Sequence, residues 1–94
     1  LERSKCKRQS LYAKVYTRAD TELAVLTGQR ILKLRTEAGL YQSQLGSLIG
    51  VTNQAIGQFE RGQFLPSATS LARLATHLGC SADYLLGLDE EPLK

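Results

Sequence analysis

Between Thr52 and Gly62 the chain carries Asn53, Gln54, Gln58 and Arg61 at a spacing that one short helix would gather on a single face. With Asn53 set at zero, Gly57, Arg61, Gln54 and Gln58 fall at roughly 40°, 80°, 100° and 140° on a wheel of about 100° per residue. Ala55, Phe59 and Ile56 fall opposite, at roughly 200°, 240° and 300°. One face is therefore apolar and can anchor the helix. The other, from roughly 0° to 140°, holds amides, a glycine and a guanidinium, with neither carboxylate nor lysine on that arc. An Asn or Gln amide offers a donor beside an acceptor, the pairing that makes two bonds to the adenine edge in a major groove. A carboxylate on that face would repel phosphate. Gly57 costs about 1 kcal/mol of helix propensity relative to Ala, which makes sense where a DNA backbone or base edge must come close. The plainer alternative is a polar surface helix whose amides are incidental.

The elements that must hold this face are legible around it. A helix over Gln42–Ile49, with Leu45, Leu48 and Ile49 inward, is joined to the amide helix by only Gly50, Val51 and Thr52. So short a turn forces a steep crossing, and a small residue is needed at the contact. Gly46 supplies it, Gly50 supplies a permissive backbone, and Thr52 is a good N-cap. Before this pair, a first helix buries Leu23, Leu26, Ile31, Leu34 and Ala38 and ends at Gly39. Gly28 interrupts it, so the helix is expected to begin near there, with residues 20–27 as a lead-in turn. A fourth helix starts at Ser67 behind Pro66, turns Leu71, Leu74, Ala75 and Leu78 inward, and stops at Gly79. A fifth, capped by Ser81, holds Tyr84 and Leu85 before Gly87.

The expected fold class is thus all-α, a compact five-helix bundle over residues 21–88. An N-terminal basic arm (1–20) precedes it and an acidic tail (89–94) follows. Residues 1–10 read as lacking regular structure. Residues 11–18 alternate as a strand would (Leu11, Ala13, Val15, Thr17) and also repeat as a helix would (Leu11/Val15, Tyr12/Tyr16), so the period does not decide.

Composition narrows the classes of function. With 43% apolar residues, no Trp and six aromatic rings, the core must be mainly aliphatic, as in packed helices. No window approaches eighteen consecutive apolar residues, so no membrane partner is expected. The charged start (Glu2, Arg3, Lys5) has no apolar signal core. Leu1 is not a natural start, which points to a fragment or a processed chain. Cys6 lies in a charged stretch and Cys80 where a small buried side chain fits, which gives little support to a disulfide. His77 is the sole histidine, on the outer side of its helix, and no cluster has zinc-ligand spacing. No metal, cofactor or catalytic residue is expected, no Ser/His/Asp or paired-carboxylate arrangement can be drawn, and a reduced cytoplasm is the simplest location. The net charge of +3 is uneven. Residues 1–20 carry six cations against Glu2 and Asp20, whereas residues 21–94 carry six against seven acids. The arm favours a polyanion; the tail avoids one.

The stretch GQRILKLRTEAGLYQSQLGSLIGVTNQAIGQFERGQFLPSATSLARLATHLGCSADYLLG resembles the phage repressor and Cro-like (Xre-type) helix-turn-helix family. The likeness spans about 60 of the 94 residues. It is carried by G-x-R-I, G-L-x-Q, I-G-V-T, I-x-x-F-E-R-G, the Pro-Ser start of the fourth helix and L-G-x-S-x-D-Y-L-L-G. It implies that Asn53, Gln54 and Gln58 read bases. Gln42, at a helix N-terminus whose free N–H groups favour anions, would contact phosphate. Arg61 and the Gly62–Phe64 loop would form a second backbone clamp, and Thr52, Gly57 and Gln63 join this backbone-facing set. Arg35 and Glu60 would form a partly buried ion pair, where the bare sequence offers Glu60 only as a solvated acid.

Three positions depart from the family pattern. Tyr41 stands where Ser, Thr or Asn is usual, leaving water or Gln44 to cap the second helix. Gly46 replaces a usual Ala. Asn53 is shorter than the Gln often found there, which weakens the case for a mutual bond with Gln42.

The resemblance implies a sequence-specific double-stranded DNA-binding transcriptional regulator, a repressor, reading a palindromic operator. The alternative is an antitoxin or adaptor that uses the same fold to hold a protein partner, with residues 1–20 as the binding element. That arm could equally serve as a minor-groove arm or a dimer strand. One helix reads too few base pairs to find one site in a genome, so a homodimer on half-sites about 34 Å apart is expected. The apolar side chains Tyr84, Leu85, Leu86 and Leu88 are the expected dimer surface.

Overall fold

The computed structural model describes the backbone of residues 5–92 and side chains from Thr21 onward. Five helices follow one another: α1 (Lys5–Glu37), α2 (Gln42–Ile49), α3 (Asn53–Glu60), α4 (Ala68–Leu78) and α5 (Ala82–Leu85). Each ends the same way. The N–H of residue i+5 bonds back to the carbonyl of residue i (Leu40 to Arg35, Val51 to Gly46, Gln63 to Gln58, Cys80 to Ala75, Leu88 to Asp83), and a glycine with positive φ precedes the donor. At Gly50, φ of 81° lets the chain reverse within the three-residue turn from α2 to α3. Thr52, Ser67 and Ser81 cap the following helices, each side-chain oxygen accepting from the N–H three residues on.

The first helix corrects the sequence reading. Its backbone is helical from Lys5 through residues 11–18 and without a break at Gly28. So residues 5–10 are not irregular and residues 20–27 are not a lead-in turn; residues 1–4 lie outside the described part. Gly28 has another cause. It is buried where α1 crosses the end of α3, and a Cβ there would sit 2.1 Å from the Phe59 carbonyl oxygen and 2.8 Å from that of Glu60. Close crossing, rather than helix initiation, demands the glycine.

Ile31, Leu45, Ile49, Ile56, Leu74, Ala75, Tyr84 and Leu85 form the enclosed core, with Leu34, Leu40, Val51, Phe59, Leu71 and Leu78 packed around it. Burying each large aliphatic side chain contributes about 1.5–3 kcal/mol, enough collectively to hold such short helices. Two residues expected inward are outside. Leu48 is 47% exposed because the buried stripe of the two-turn α2 is Leu45, Gly46 and Ile49, and Leu48 lies off its edge. Ala38 is exposed because it follows the last turn of α1.

The expected dimer surface is corrected as well. Leu85 is fully enclosed and Tyr84 only 4% exposed. A one-turn helix cannot present an independent face, and α1 clamps this one down. Thr27 Oγ1 donates to the Leu85 carbonyl at 2.7 Å. Arg30 stacks 4.2 Å from the centre of the Tyr84 ring and donates to the carbonyls of Tyr84 and Asp89. Of the four residues, Leu86 is half-buried and Leu88 is exposed.

Among the described residues, no helix is long and apolar enough to cross a membrane. Nor does any group of three His, Cys, Asp or Glu residues sit close enough to hold a metal ion.

Candidate nucleic-acid interface

The pairing of α2 with α3 sets the geometry. Gly46 meets the turn so closely that a Cβ would lie 2.6 Å from the Val51 carbonyl oxygen. On α3, Ile56 is buried, and Ala55 and Phe59 are half-buried against the core. Asn53 and Gln54 are exposed on the opposite side, Gln58 is half-exposed, and Arg61 follows the last turn in solvent. The uncharged amide face is therefore open to a partner. Beyond it, Gln63 and Phe64 are exposed, Phe64 at 57%.

Gly57 lies on the polar face yet is buried, covered by side chains from the ends of two helices.

 A Cβ on Gly57 would lie 3.0 Å from Arg61 Nη1 and 3.5 Å from Gln42 Nε2. The bare glycine thus makes room for a guanidinium from the end of α3 and an amide from the start of α2. The sequence suggested that this gap serves DNA directly; in the folded chain two protein side chains occupy it.

Gln42 takes its orientation from Glu60, to whose Oε1 its Nε2 donates at 2.9 Å. Its partner is Glu60 rather than Asn53. Arg35 holds the same carboxylate, through Nε to Oε2 at 2.5 Å and Nη2 to Oε1 at 3.2 Å, and its Nη1 donates to the Leu40 carbonyl. The side chains of this ion pair are 12% (Arg35) and 5% (Glu60) exposed. Two parallel charge-assisted bonds match guanidinium to carboxylate geometry and tie α1 to α3. The acid at the end of α3 is thereby neutralised beside a face that would meet a polyanion.

At the start of α2, Tyr41 has extended backbone and a side chain 73% exposed, and its phenol caps nothing. Gln44 Oε1 instead accepts from the Tyr41 N–H at 2.8 Å. The first N–H groups of a helix have no partner within it, and such groups favour an anion.

Sequence reasoning missed the Gln42–Glu60 bond, because residues 18 apart give no local signal. It also missed Arg73, whose Nη1 donates to the Ile49 carbonyl at 3.2 Å and closes the end of α2 from α4. Elsewhere, His77 is exposed, and burial pushes the Cys80 thiol up, which keeps it a neutral side chain against the core.

A family profile described as helix-turn-helix matches residues 31–85, more than half of the chain. The chain belongs to the helix-turn-helix family. Within this helix-turn-helix protein the matched segment contains α2, the three-residue turn, α3 and α4 entire. Over 61 residues the chain is 43% identical to repressor protein C2 of Salmonella phage P22, covering 65% of this chain and 28% of that one. A crystal structure of the P22 c2 repressor with a synthetic operator superposes with a TM-score of 0.66 at 42% identity, covering 68% of this chain and 97% of that one. The restriction-modification controller protein C.AhdI from Aeromonas hydrophila superposes with a TM-score of 0.62 at 39% identity, covering 66% and 94%. The helix-turn-helix chain therefore spans little more than a quarter of the length of the P22 repressor.

Proposed function

We propose that this chain is a sequence-specific double-stranded DNA-binding transcriptional regulator, acting as a repressor, that lays α3 in the major groove. The carrying observation is the exposed, carboxylate-free amide face of α3, flanked by Gln42 and Arg61 over Gly57. Asn53, Gln54 and Gln58 read base edges. Gln42, Thr52, Arg61 and Gln63 hold the sugar-phosphate backbone, and Gly57 keeps Gln42 and Arg61 together. The P22 relative, whose solved structure includes a synthetic operator, supports the reading of this chain as a binder of double-stranded DNA. Two copies on a palindrome would supply the affinity that one α3 lacks. With Tyr84 and Leu85 enclosed, the exposed Leu88 and half-buried Leu86 remain for that pairing.

Selection of bound duplexes from a random pool tests the reading directly. Gln54→Ala and Gln58→Ala are each expected to cost about 1–3 kcal/mol on the enriched site and to relax one base position per half-site. Wild-type discrimination in both variants would remove α3 from the reading role. Equal affinity for enriched and random duplexes would favour a protein-binding adaptor instead.

Backbone contacts have a different signature. Arg61→Ala should weaken binding to all duplexes and reduce the slope of log affinity against log salt by about 0.9, since one fewer counterion is released. Gln42→Ala should weaken binding with the slope unchanged, because a neutral amide displaces no cation. Titrations at several salt concentrations separate the two. An unchanged slope for Arg61→Ala would mean that its guanidinium does not reach a phosphate.

A further inference from the structure

We infer that Glu60 is a positioning residue for DNA binding, its carboxylate holding the Gln42 amide in the orientation that meets the backbone. The inference rests on the proposed reading of Gln42 as a backbone contact.

A carboxylate only accepts hydrogen bonds, so the bond to Glu60 Oε1 decides which end of the Gln42 amide faces inward. One Nε2 proton is engaged by Glu60, and the amide retains a second proton for a phosphate oxygen. A glutamine at a free helix start samples many rotamers and loses that freedom on contact. Here the fold has already restricted it, which strengthens binding without adding a contact. The same acid would repel a polyanion if it stood alone. Arg35 removes that objection, since it holds both oxygens of a carboxylate only 5% exposed. Gly57 completes the arrangement by leaving no side chain between the Gln42 amide and the Arg61 guanidinium. Arg35, Glu60 and Gln42 thus form a relay that runs from α1 through α3 to the first turn of α2.

A double-mutant cycle on the whole chain tests this. Gln42→Ala, Glu60→Gln and the combined variant are titrated with random-sequence 30-base-pair duplex, because a backbone contact is independent of sequence. Circular dichroism sets a temperature at which every variant is folded. Glu60→Gln is expected to weaken binding about fivefold when Gln42 is present and less than about twofold when it is alanine. A purely structural Glu60 would reduce affinity by the same factor in both backgrounds, and that result would overturn the inference. Should Glu60→Gln fail to fold, Arg35→Met with Glu60→Leu removes both charges together, and the same comparison with and without Gln42 applies. Wild-type binding that is unaffected by Gln42→Ala would sink the relay alone. Wild-type chain that binds no duplex, random or enriched, would sink the proposed function and the relay with it.

Discussion

Arg35→Ala is expected to destabilise the fold by about 3–5 kcal/mol, the usual cost of leaving one partner of a buried ion pair uncompensated. Glu60 keeps only its bond from Gln42 in that variant, and its carboxylate is almost wholly removed from water. The Leu40 carbonyl also loses its donor, so the chain reversal after α1 weakens at the same time. Lys33, two residues earlier on α1, is exposed, and Lys33→Ala should fall within about 0.5 kcal/mol of wild type. In a domain of this size each kcal/mol moves Tm by about 4–8 °C, so the two variants should melt well over 10 °C apart. Arg35→Met combined with Glu60→Leu should be much milder than Arg35→Ala, because no charge is orphaned. Equal melting of Arg35→Ala and Lys33→Ala would show that Glu60 is solvated when unpaired, and the buried pair would have to be abandoned.

Gly28→Ala is the second large effect. Helix propensity alone favours alanine by about 1 kcal/mol. Against that, the new methyl would sit 2.1 Å from the Phe59 carbonyl oxygen. No rotamer relieves an overlap between a Cβ and a backbone atom, so α1 and the end of α3 must separate. Overpacking typically costs about 1–3 kcal/mol and more where the backbone must move. Here the displaced carbonyl also accepts the Gly62 N–H that closes α3, and the next residue is Glu60. The overlap therefore wins, and net destabilisation of about 2 kcal/mol or more is expected. Urea unfolding gives the comparison. A midpoint equal to wild type, or higher, would show that the crossing is looser than the structure has it. Gly39→Ala makes a useful contrast: nothing lies within 4 Å of its Cβ, and only its φ of 74° opposes the change.

The sequence by itself determined the short helices α2 to α5 and their punctuation, because caps, glycine closures and a 3.6-residue period are local properties. The order Gly50–Val51–Thr52 announces a tight turn, and the wheel places Asn53 and Gln54 opposite Ile56 whatever surrounds them. The family pattern pointed to Arg35 with Glu60, and the folded chain brings those two side chains together.

Tertiary structure decided everything that depends on which faces meet. Gly28 breaks a helical pattern on paper, yet α1 runs through it because α3 presses on that point. Tyr84 and Leu85 look like a sticky surface in a one-turn helix, yet Thr27 and Arg30, more than fifty residues away, draw that turn onto the core. Leu48 has the side chain of a core residue but lies off the stripe that α2 buries. In sequence the partner considered for Gln42 is Asn53, and only the crossing of α2 with α3 brings Glu60 within 2.9 Å of it. Local periodicity fixes the direction of each side chain relative to its own helix axis; how those axes cross is set by close packing between residues far apart in the chain.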